Sequence, residues 1–114
     1  MPTPILDIAA NKVGEIILLA REIEQRETGR TTPEFNAFVG ALNEDESANL
    51  VALMWVGRGS FEPEDWADAV ATARAEATVP TADYLSGTPQ LADHLENGLE
   101  LMGISPLEAE DEVY

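Results

Sequence analysis

Apolar residues recur along this chain every three or four positions, and polar turn signals separate the successive runs. This spacing places the apolar side chains of each run on one face of an α helix. No stretch shows the sustained alternation of apolar and polar residues that a half-buried β strand produces. The pattern therefore predicts an all-α fold, a compact bundle of five to six helices with short capped connections.

Capping signals mark where the predicted helices begin and end. The first helix is expected over residues 9–27, and Thr32-Pro33-Glu34 then supplies a hydroxyl N-cap, a proline and a first-turn acid for the second. Asn43 and Glu46 match a capping box, and the helix that they open is expected to end at Gly57-Arg58-Gly59. Later helices are predicted to begin at Glu62-Pro63-Glu64-Asp65, Pro80-Thr81 and Thr88-Pro89, and Gly103 is predicted to cap the last.

The third predicted helix, which contains residues 50–56, is expected to form the centre of the fold. Residues 50–56 are apolar on nearly every helical face, so the helix that contains them should be buried on all sides. The neighbouring helices carry narrower apolar stripes, from Trp66 to Ala77 in the fourth and from Leu91 to Met102 in the last. The residues expected to meet in the core are Phe38, Leu53, Trp55, Trp66 and Leu95.

Length and composition fit one domain. At 114 residues the chain has the usual size of a single domain and can bury a core without cross-links. It has no cysteine, which rules out disulfides and thiolate metal sites. We expect residues 1–104 to form one all-α domain and residues 105–114, which hold four acids, to form a flexible acidic tail.

The charge of the chain is strongly negative and unevenly placed. Its 22 Asp and Glu against six Lys and Arg give a formal charge of −16. Seventeen of the acids lie after residue 30, where the basic residues are Arg58 and Arg74. Nucleic acids and anionic membranes bind basic surfaces, so direct binding to either is not expected. An acidic surface can meet a basic protein or mimic DNA, and it also serves as a solubility shell or an adaptation to a salty cytoplasm.

The sequence carries no pattern typical of a targeting or membrane segment. Residues 1–7 contain no basic segment and include Asp7, which is unlike a secretory signal. The longest uninterrupted apolar run, residues 50–56, is far shorter than the roughly 20 residues that span a bilayer. We therefore expect a cytoplasmic protein without membrane association.

Few residues have the chemistry of a catalytic or metal site. His94 is the single histidine, and Leu91 stands where carboxylate di-iron sites have a glutamate, so we expect a packing or surface role. Glu44-Asp45-Glu46 could hold Mg²⁺ or Ca²⁺, but first-turn acids also complement a helix dipole, which explains their position without a ligand. No cofactor, metal ligand or catalytic residue is therefore assigned.

Arg58 is the residue whose surroundings most indicate binding. It is isolated from other basic residues, and Trp55 and Trp66 flank it in the sequence. A guanidinium among aromatic rings and carboxylates can anchor a partner or an anion. The alternative is an internal ion pair with Asp65 or Glu62. The candidate interaction residues are Trp55, Arg58, Asp65 and Trp66.

Short segments along the chain form a recognisable series. The most specific segments are Ala41-Leu42-Asn43-Glu44-Asp45-Glu46, Leu50-Val51-Ala52-Leu53 and Gly57-Arg58-Gly59. Others are Leu6-Asp7-Ile8, Asp65-Trp66, Gly87-Thr88-Pro89 and Gly98-Leu99. The series resembles the bacterial domain-of-unknown-function family 3775. The resemblance implies a small proteobacterial protein with no assigned activity, and it supplies no site residues.

These observations favour a non-enzymatic protein–protein interaction module. The first helix offers a surface for a homodimer, because Ile16, Leu18 and Leu19 surround its waist. One alternative is an acidic decoy that occupies a nucleic-acid-binding protein, which needs carboxylates at phosphate spacing on one face. The other is a carboxylate-based metal- or anion-binding enzyme, which needs a pocket where acids such as Glu44, Asp45 and Glu62 converge.

Overall fold

The computed structural model describes residues 6–26 and 31–105 of the chain. Within these ranges the protein is all-α, as predicted, with six α helices, a single 3-10 turn and no β strand. Of the predicted tail, residues 106–114 lie outside the described residues. The helices are α1 (Ala10–Glu24), α2 (Pro33–Gly40), α3 (Glu44–Arg58), α4 (Trp66–Ala75), α5 (Thr81–Ser86) and α6 (Leu91–Leu101), and the 3-10 turn is Pro63–Asp65.

The central helix is α3, in which ten consecutive residues, 48–57, are buried. The predicted capping box fixes its start. The Asn43 side chain accepts a hydrogen bond from the Glu46 N–H at 2.8 Å, and the Glu46 carboxylate accepts one from the Asn43 N–H at 3.0 Å. At its end, Gly59 takes the left-handed conformation with φ of 92° that glycine adopts without strain. Because apolar residues cover every face of α3, it is enclosed by α4, α5 and α6.

The backbones of α3 and α6 touch where the two helices cross at a pair of glycines. A Cβ atom on Gly57 would lie 1.7 Å from the His94 carbonyl oxygen, and one on Gly98 would lie 2.4 Å from the Leu53 carbonyl oxygen. The Asn97 side chain also donates a hydrogen bond to the Gly57 carbonyl at 2.7 Å. The predicted end of the helix at Gly57-Arg58-Gly59 is confirmed, because α3 ends at Arg58 and Gly59 is left-handed, while Gly57 lies inside the helix and permits the crossing.

The first helix covers α6 and α2 from one side. An ion pair joins Arg21 to Glu96, and the Glu24 carboxylate accepts a hydrogen bond from the Ala92 N–H at 3.2 Å, so α1 is tied to the start of α6. The predicted helix over residues 9–27 is shorter in the structure and ends at Glu24. Residue 27 itself lies outside the described residues. The buried residues of α1 are Val13, Gly14, Ile16, Ile17, Ala20 and Ile23.

In α2 the inward side chains are Phe35 and Val39. Thr32 caps this helix as predicted, because its hydroxyl accepts a hydrogen bond from the Phe35 N–H at 3.1 Å. Residues four positions apart point in nearly the same direction on a helix, so Phe38 points to the side and is only partly buried. The expectation that Phe38 lies in the core is therefore wrong, and Phe35 takes that place. The other predicted core residues are buried: Leu53, Trp55, Trp66 and Leu95.

The predicted boundaries of α4 and α6 differ from those in the structure. The fourth helix ends at Ala75, so Ala77, which was expected on its inner face, is exposed. The sixth begins at Leu91 rather than at Thr88-Pro89. The reason is that Gln90 takes a left-handed conformation with φ of 58°, which cannot belong to a right-handed helix.

The inner face and the end of α6 agree with the sequence pattern. Gly103 is left-handed with φ of 82°, and the Ile104 N–H donates a hydrogen bond to the Leu99 carbonyl at 2.8 Å, as in a Schellman cap. The predicted inner residues are all buried: Leu91, Leu95, Leu99 and Met102. In the described ranges, no helix has the length and apolar character needed to cross a membrane.

Candidate functional site

A groove lies on the surface between α3, the end of α4 and α5. Its volume is about 430 Å³, which is within the range of ligand-binding pockets. The residues that line it come from all three helices and from the segments that join α2 to α3 and α4 to α5. They include Val51 and Trp55 from α3, Ala73 and Arg74 from α4, and Tyr84 from α5. Most of the lining is apolar, so the groove has the composition of a binding site.

Trp55 gives the groove an aromatic wall. The indole is 7% exposed, and its Nε1–H donates a hydrogen bond to the Tyr84 hydroxyl at 3.0 Å. The indole also stacks on Phe61, with ring centroids 5.6 Å apart and an angle of 22° between the planes. The hydrogen bond and the stacking hold the indole in one orientation, so this wall is formed before any ligand arrives.

Apolar surface continues from the groove onto the outside of the protein. Val79 is 55% exposed and Tyr84 is 36% exposed, and both side chains line the groove. Among the described residues, the other large apolar side chains that are exposed are Leu18 and Leu101. Half of these exposed side chains therefore lie at one concave site, an arrangement that is typical of a surface that binds a ligand or a partner.

The rim of the groove carries negative charge. Arg74 forms an ion pair with Asp45 at the start of α3, which balances the charge of Arg74 and joins α4 to α3. Glu44 and Glu76 also line the groove and are exposed. Within residues 6–26 and 31–105 neither of these two carboxylates forms an ion pair, so both remain available to an incoming cation.

Two of the three acids at the start of α3 have structural roles. Glu46 pairs with Lys12 of α1 at 2.6 Å while it closes the capping box, and Asp45 pairs with Arg74. The hydrogen bond from Lys12, followed by that from the Asn43 N–H, lowers the pKa of Glu46 from its ordinary value. Nowhere in the described part of the chain do three His, Cys, Asp or Glu side chains gather in a way that could hold a metal ion.

Of the four predicted interaction residues, Trp55 lines the groove and the other three do not. Trp66 is 7% exposed and belongs to the core, whereas Arg58 and Asp65 are exposed. The Arg58 Nε–H donates a hydrogen bond to the Ser60 hydroxyl at 3.1 Å. In the residues that the structure describes, Arg58 forms no ion pair, so the internal pairing considered as an alternative is not seen.

The surface expected for a homodimer is smaller than the sequence pattern indicates. Ile16 is fully buried inside the chain and Leu19 is partly buried, while Leu18 is 36% exposed. Most of the apolar waist of α1 is thus used in contacts with α2 and α6. A homodimer through this helix stays a prediction that depends on Leu18 and Leu19.

Two groove residues, Tyr84 and Val79, were not anticipated as parts of a site. Tyr84 lies 29 positions from its hydrogen-bond partner Trp55, and periodicity within one helix carries no information about such a contact. Val79 lies in the connection between α4 and α5. The sequence signal that could have identified Val79 is that it is apolar but belongs to no apolar stripe of a predicted helix.

The comparison with known families agrees with the resemblance noted in the sequence. A family model described as "Protein of unknown function (DUF3775)" matches residues 32–104, from the cap of α2 to the end of α6. All the groove residues lie within this range, and α1 precedes it. Comparisons with curated proteins and with solved structures gave no match. Since the family model covers well over half of the chain, the protein belongs to the family described as "Protein of unknown function (DUF3775)".

Proposed function

We propose that this protein is a non-enzymatic protein–protein interaction module and that the groove between α3, α4 and α5 is its binding surface. The observation that carries the proposal is that Val79 and Tyr84 expose apolar surface beside a cavity of about 430 Å³. Removal of apolar surface from water is favourable by about 25 cal/mol per Å². A partner that covers both side chains therefore gains free energy at this site.

The fixed aromatic wall supports the same function. Because Trp55 is already held by Tyr84 and Phe61, a partner does not have to order it on binding. Ordering a side chain at an interface costs free energy, so a preformed wall increases affinity. Rigid aromatic residues are also the ones that contribute most to protein interfaces.

The chemistry of the lining supports binding rather than catalysis. The groove contains the carboxylates of Glu44 and Glu76 and the guanidinium of Arg74, which Asp45 balances, and its other polar groups are the hydroxyls of Ser47, Thr78, Thr81 and Tyr84. His94, the residue type used most often for proton transfer at neutral pH, lies on α6 and does not line the groove. The acid-based enzyme alternative requires acids such as Glu44, Asp45 and Glu62 to converge in a pocket, and of these three Glu44 lines the groove while the other two do not.

Affinity capture with a filled groove tests the proposal. Ala77 is exposed and lines the groove, so Ala77→Phe fills the cavity without a change in the core, and Ala71→Phe on the exposed side of α4 is the matched control. We expect at least one protein of the native host to bind the wild-type chain and Ala71→Phe but not Ala77→Phe. Circular dichroism should show the same helical content for all three chains. If Ala77→Phe captures the same proteins as the wild type, the groove is not the binding surface.

The variant Arg58→Ala tests in the same experiment whether the predicted interaction residues, Trp55, Arg58, Asp65 and Trp66, contribute to binding. Arg58 is exposed and forms no ion pair in the described residues, so its loss should leave the melting temperature unchanged. Loss of the captured partner with unchanged stability supports a binding role for Arg58. Loss of stability assigns it a structural role.

The two alternative functions predict other results. A partner of an acidic decoy is a nucleic-acid-binding protein, and DNA or RNA added to the capture should release it. A carboxylate-based metal enzyme should show a melting temperature that rises with added Mg²⁺, Ca²⁺ or Mn²⁺. Capture that nucleic acid does not reverse, together with a metal-independent melting temperature, favours the interaction module.

A further inference from the structure

Polar groups make up the smaller part of the groove's surface: Glu44, Ser47, Arg74, Glu76, Thr78, Thr81 and Tyr84 carry charges or hydroxyl groups, and the other lining residues are apolar. In the described residues no buried side-chain nitrogen or oxygen lacks a hydrogen-bond partner, and the Trp55 Nε1–H is engaged by Tyr84. Much of the remaining lining is aliphatic surface from residues such as Val51, Ala77 and Val79. Because most of the lining is apolar, a sugar or a nucleotide would replace only part of its hydrogen bonds to water here, which is unfavourable. The groove therefore suits an apolar group.

The rim determines which charge can accompany that group. Glu44 and Glu76 have no ion-pair partner in the described ranges, while Arg74 is balanced by Asp45. The formal charge of −16 also attracts cations from a distance and repels anions. Positively charged residues that flank the apolar group of a ligand are therefore attracted by the two carboxylates, whereas acidic residues are repelled.

The extent of the apolar surface favours a polypeptide over a small molecule. Val79 and Tyr84 border the cavity and are 55% and 36% exposed. A small molecule enclosed in the cavity covers only the parts of these two side chains that face it. A segment of a partner protein that fills the cavity and continues across the rim covers them as well.

We propose that the groove binds a basic segment of a partner protein in which a large apolar side chain is flanked by Lys or Arg. The apolar side chain packs against Val51 and Trp55, and the flanking cations lie over Glu44 and Glu76. This inference rests on the proposed function, because it specifies the partner for the same groove.

Selection from displayed random peptides tests the inference without knowledge of the natural partner. The full wild-type chain is immobilised, and excess soluble Ala77→Phe chain removes peptides that bind any other surface. We expect the enriched peptides to share one large apolar residue flanked by Lys or Arg. A separate variant, Trp66→Phe, leaves Trp55 as the single tryptophan. The affinity for a peptide that contains no tryptophan can then be measured by titration of the Trp55 fluorescence.

A pair of charge variants tests the role of the rim. Glu44→Gln combined with Glu76→Gln should weaken binding of an enriched peptide about five-fold and reduce its dependence on salt. Glu62→Gln combined with Glu64→Gln removes the same charge from exposed positions that do not line the groove, and it should change the affinity much less. Equal weakening by the two pairs would mean that net charge, and not the rim, attracts the peptide, which would overturn the inference.

The outcomes separate this inference from the proposed function. Enriched peptides that depend on the groove but are neutral or acidic overturn the inference and leave the groove as a protein-binding site. Selection that yields no groove-dependent peptide counts against both. In that case, uptake of the apolar dye Nile red by the wild-type chain but not by Ala77→Phe would assign the groove to a small apolar ligand.

Discussion

Gly57 and Gly98 occupy positions where one methyl group would collide with backbone atoms of the opposite helix. Alanine normally stabilises a helix relative to glycine by about 1 kcal/mol, but here the Cβ atom would force α3 and α6 apart. We expect Gly57→Ala to lower the free energy of unfolding by about 3 kcal/mol or more, since the colliding atom is a backbone oxygen that cannot rotate away. Urea denaturation followed by circular dichroism measures the change.

Gly40 is the control for that substitution. It ends α2, is exposed, and has nothing within 4 Å of an added Cβ atom. Gly40→Ala should leave the free energy of unfolding unchanged or raise it by up to about 1 kcal/mol. Similar stability of the Gly40 and Gly57 variants would contradict the close crossing.

Glu46 connects protonation to folding. Its pKa in the folded protein is below the ordinary value of 4.5, first because of the hydrogen bond from Lys12 and then because of the Asn43 N–H. The resulting stabilisation is complete above the unfolded pKa and is lost as the pH falls through the folded pKa. We expect Lys12→Met to move the pKa of Glu46 back toward 4.5 and to reduce this part of the acid sensitivity. NMR titration of the Glu46 carboxyl group tests this, and an unchanged pKa would contradict the role of Lys12.

At the scale of the element, α1 precedes the range matched by the family model and still supplies part of the core. Ile17 is fully buried, so Ile17→Ala should lower the free energy of unfolding by about 2–5 kcal/mol. Leu18, the next residue, is 36% exposed, and Leu18→Ala should change the free energy of unfolding by less than about 1 kcal/mol. Chemical denaturation of the two variants makes the comparison. Equal effects would mean that α1 does not pack on α6 and α2 as described.

The outer side of α1 is where the homodimer prediction can be tested. If two copies associate through Leu18 and Leu19, then Leu18→Glu should convert the dimer into a monomer without loss of helical content. Light scattering at high protein concentration gives the mass of each chain. A wild-type chain that is already monomeric under these conditions would remove the homodimer from consideration.

The sequence predicts the helices well because their signals are local. The caps at Thr32 and Asn43 bond to groups three residues away, so they can be recognised in a short segment. Contacts between helices leave no such trace. The hydrogen bond between Trp55 and Tyr84 and the role of Gly57 depend on how α3 meets α5 and α6, and the groove could therefore not be predicted from periodicity.

At the scale of the whole molecule, the formal charge of −16 opposes folding. The protein measures 42 × 32 × 23 Å, which is comparable with the Debye length of about 30 Å at 0.01 M salt, so at low salt charges repel one another across much of the protein. At 0.1 M salt the Debye length falls to about 10 Å and most of this repulsion is screened. We therefore expect the melting temperature to rise from low to moderate salt. Thermal unfolding by circular dichroism measures it, and a flat or falling melting temperature would contradict the expectation.

The contact between the backbones of α3 and α6 has a consequence for how the groove can respond to an occupant. No layer of side chains lies between the two helices at Gly57 and Gly98, so α3 cannot tilt toward α6 there without a clash between the two backbones. Any adjustment must come from the opposite side of the groove, in residues 76–86. Amide hydrogen exchange should accordingly be slowest around residues 50–57 whether the groove is empty or filled, and occupancy should slow exchange in residues 76–86.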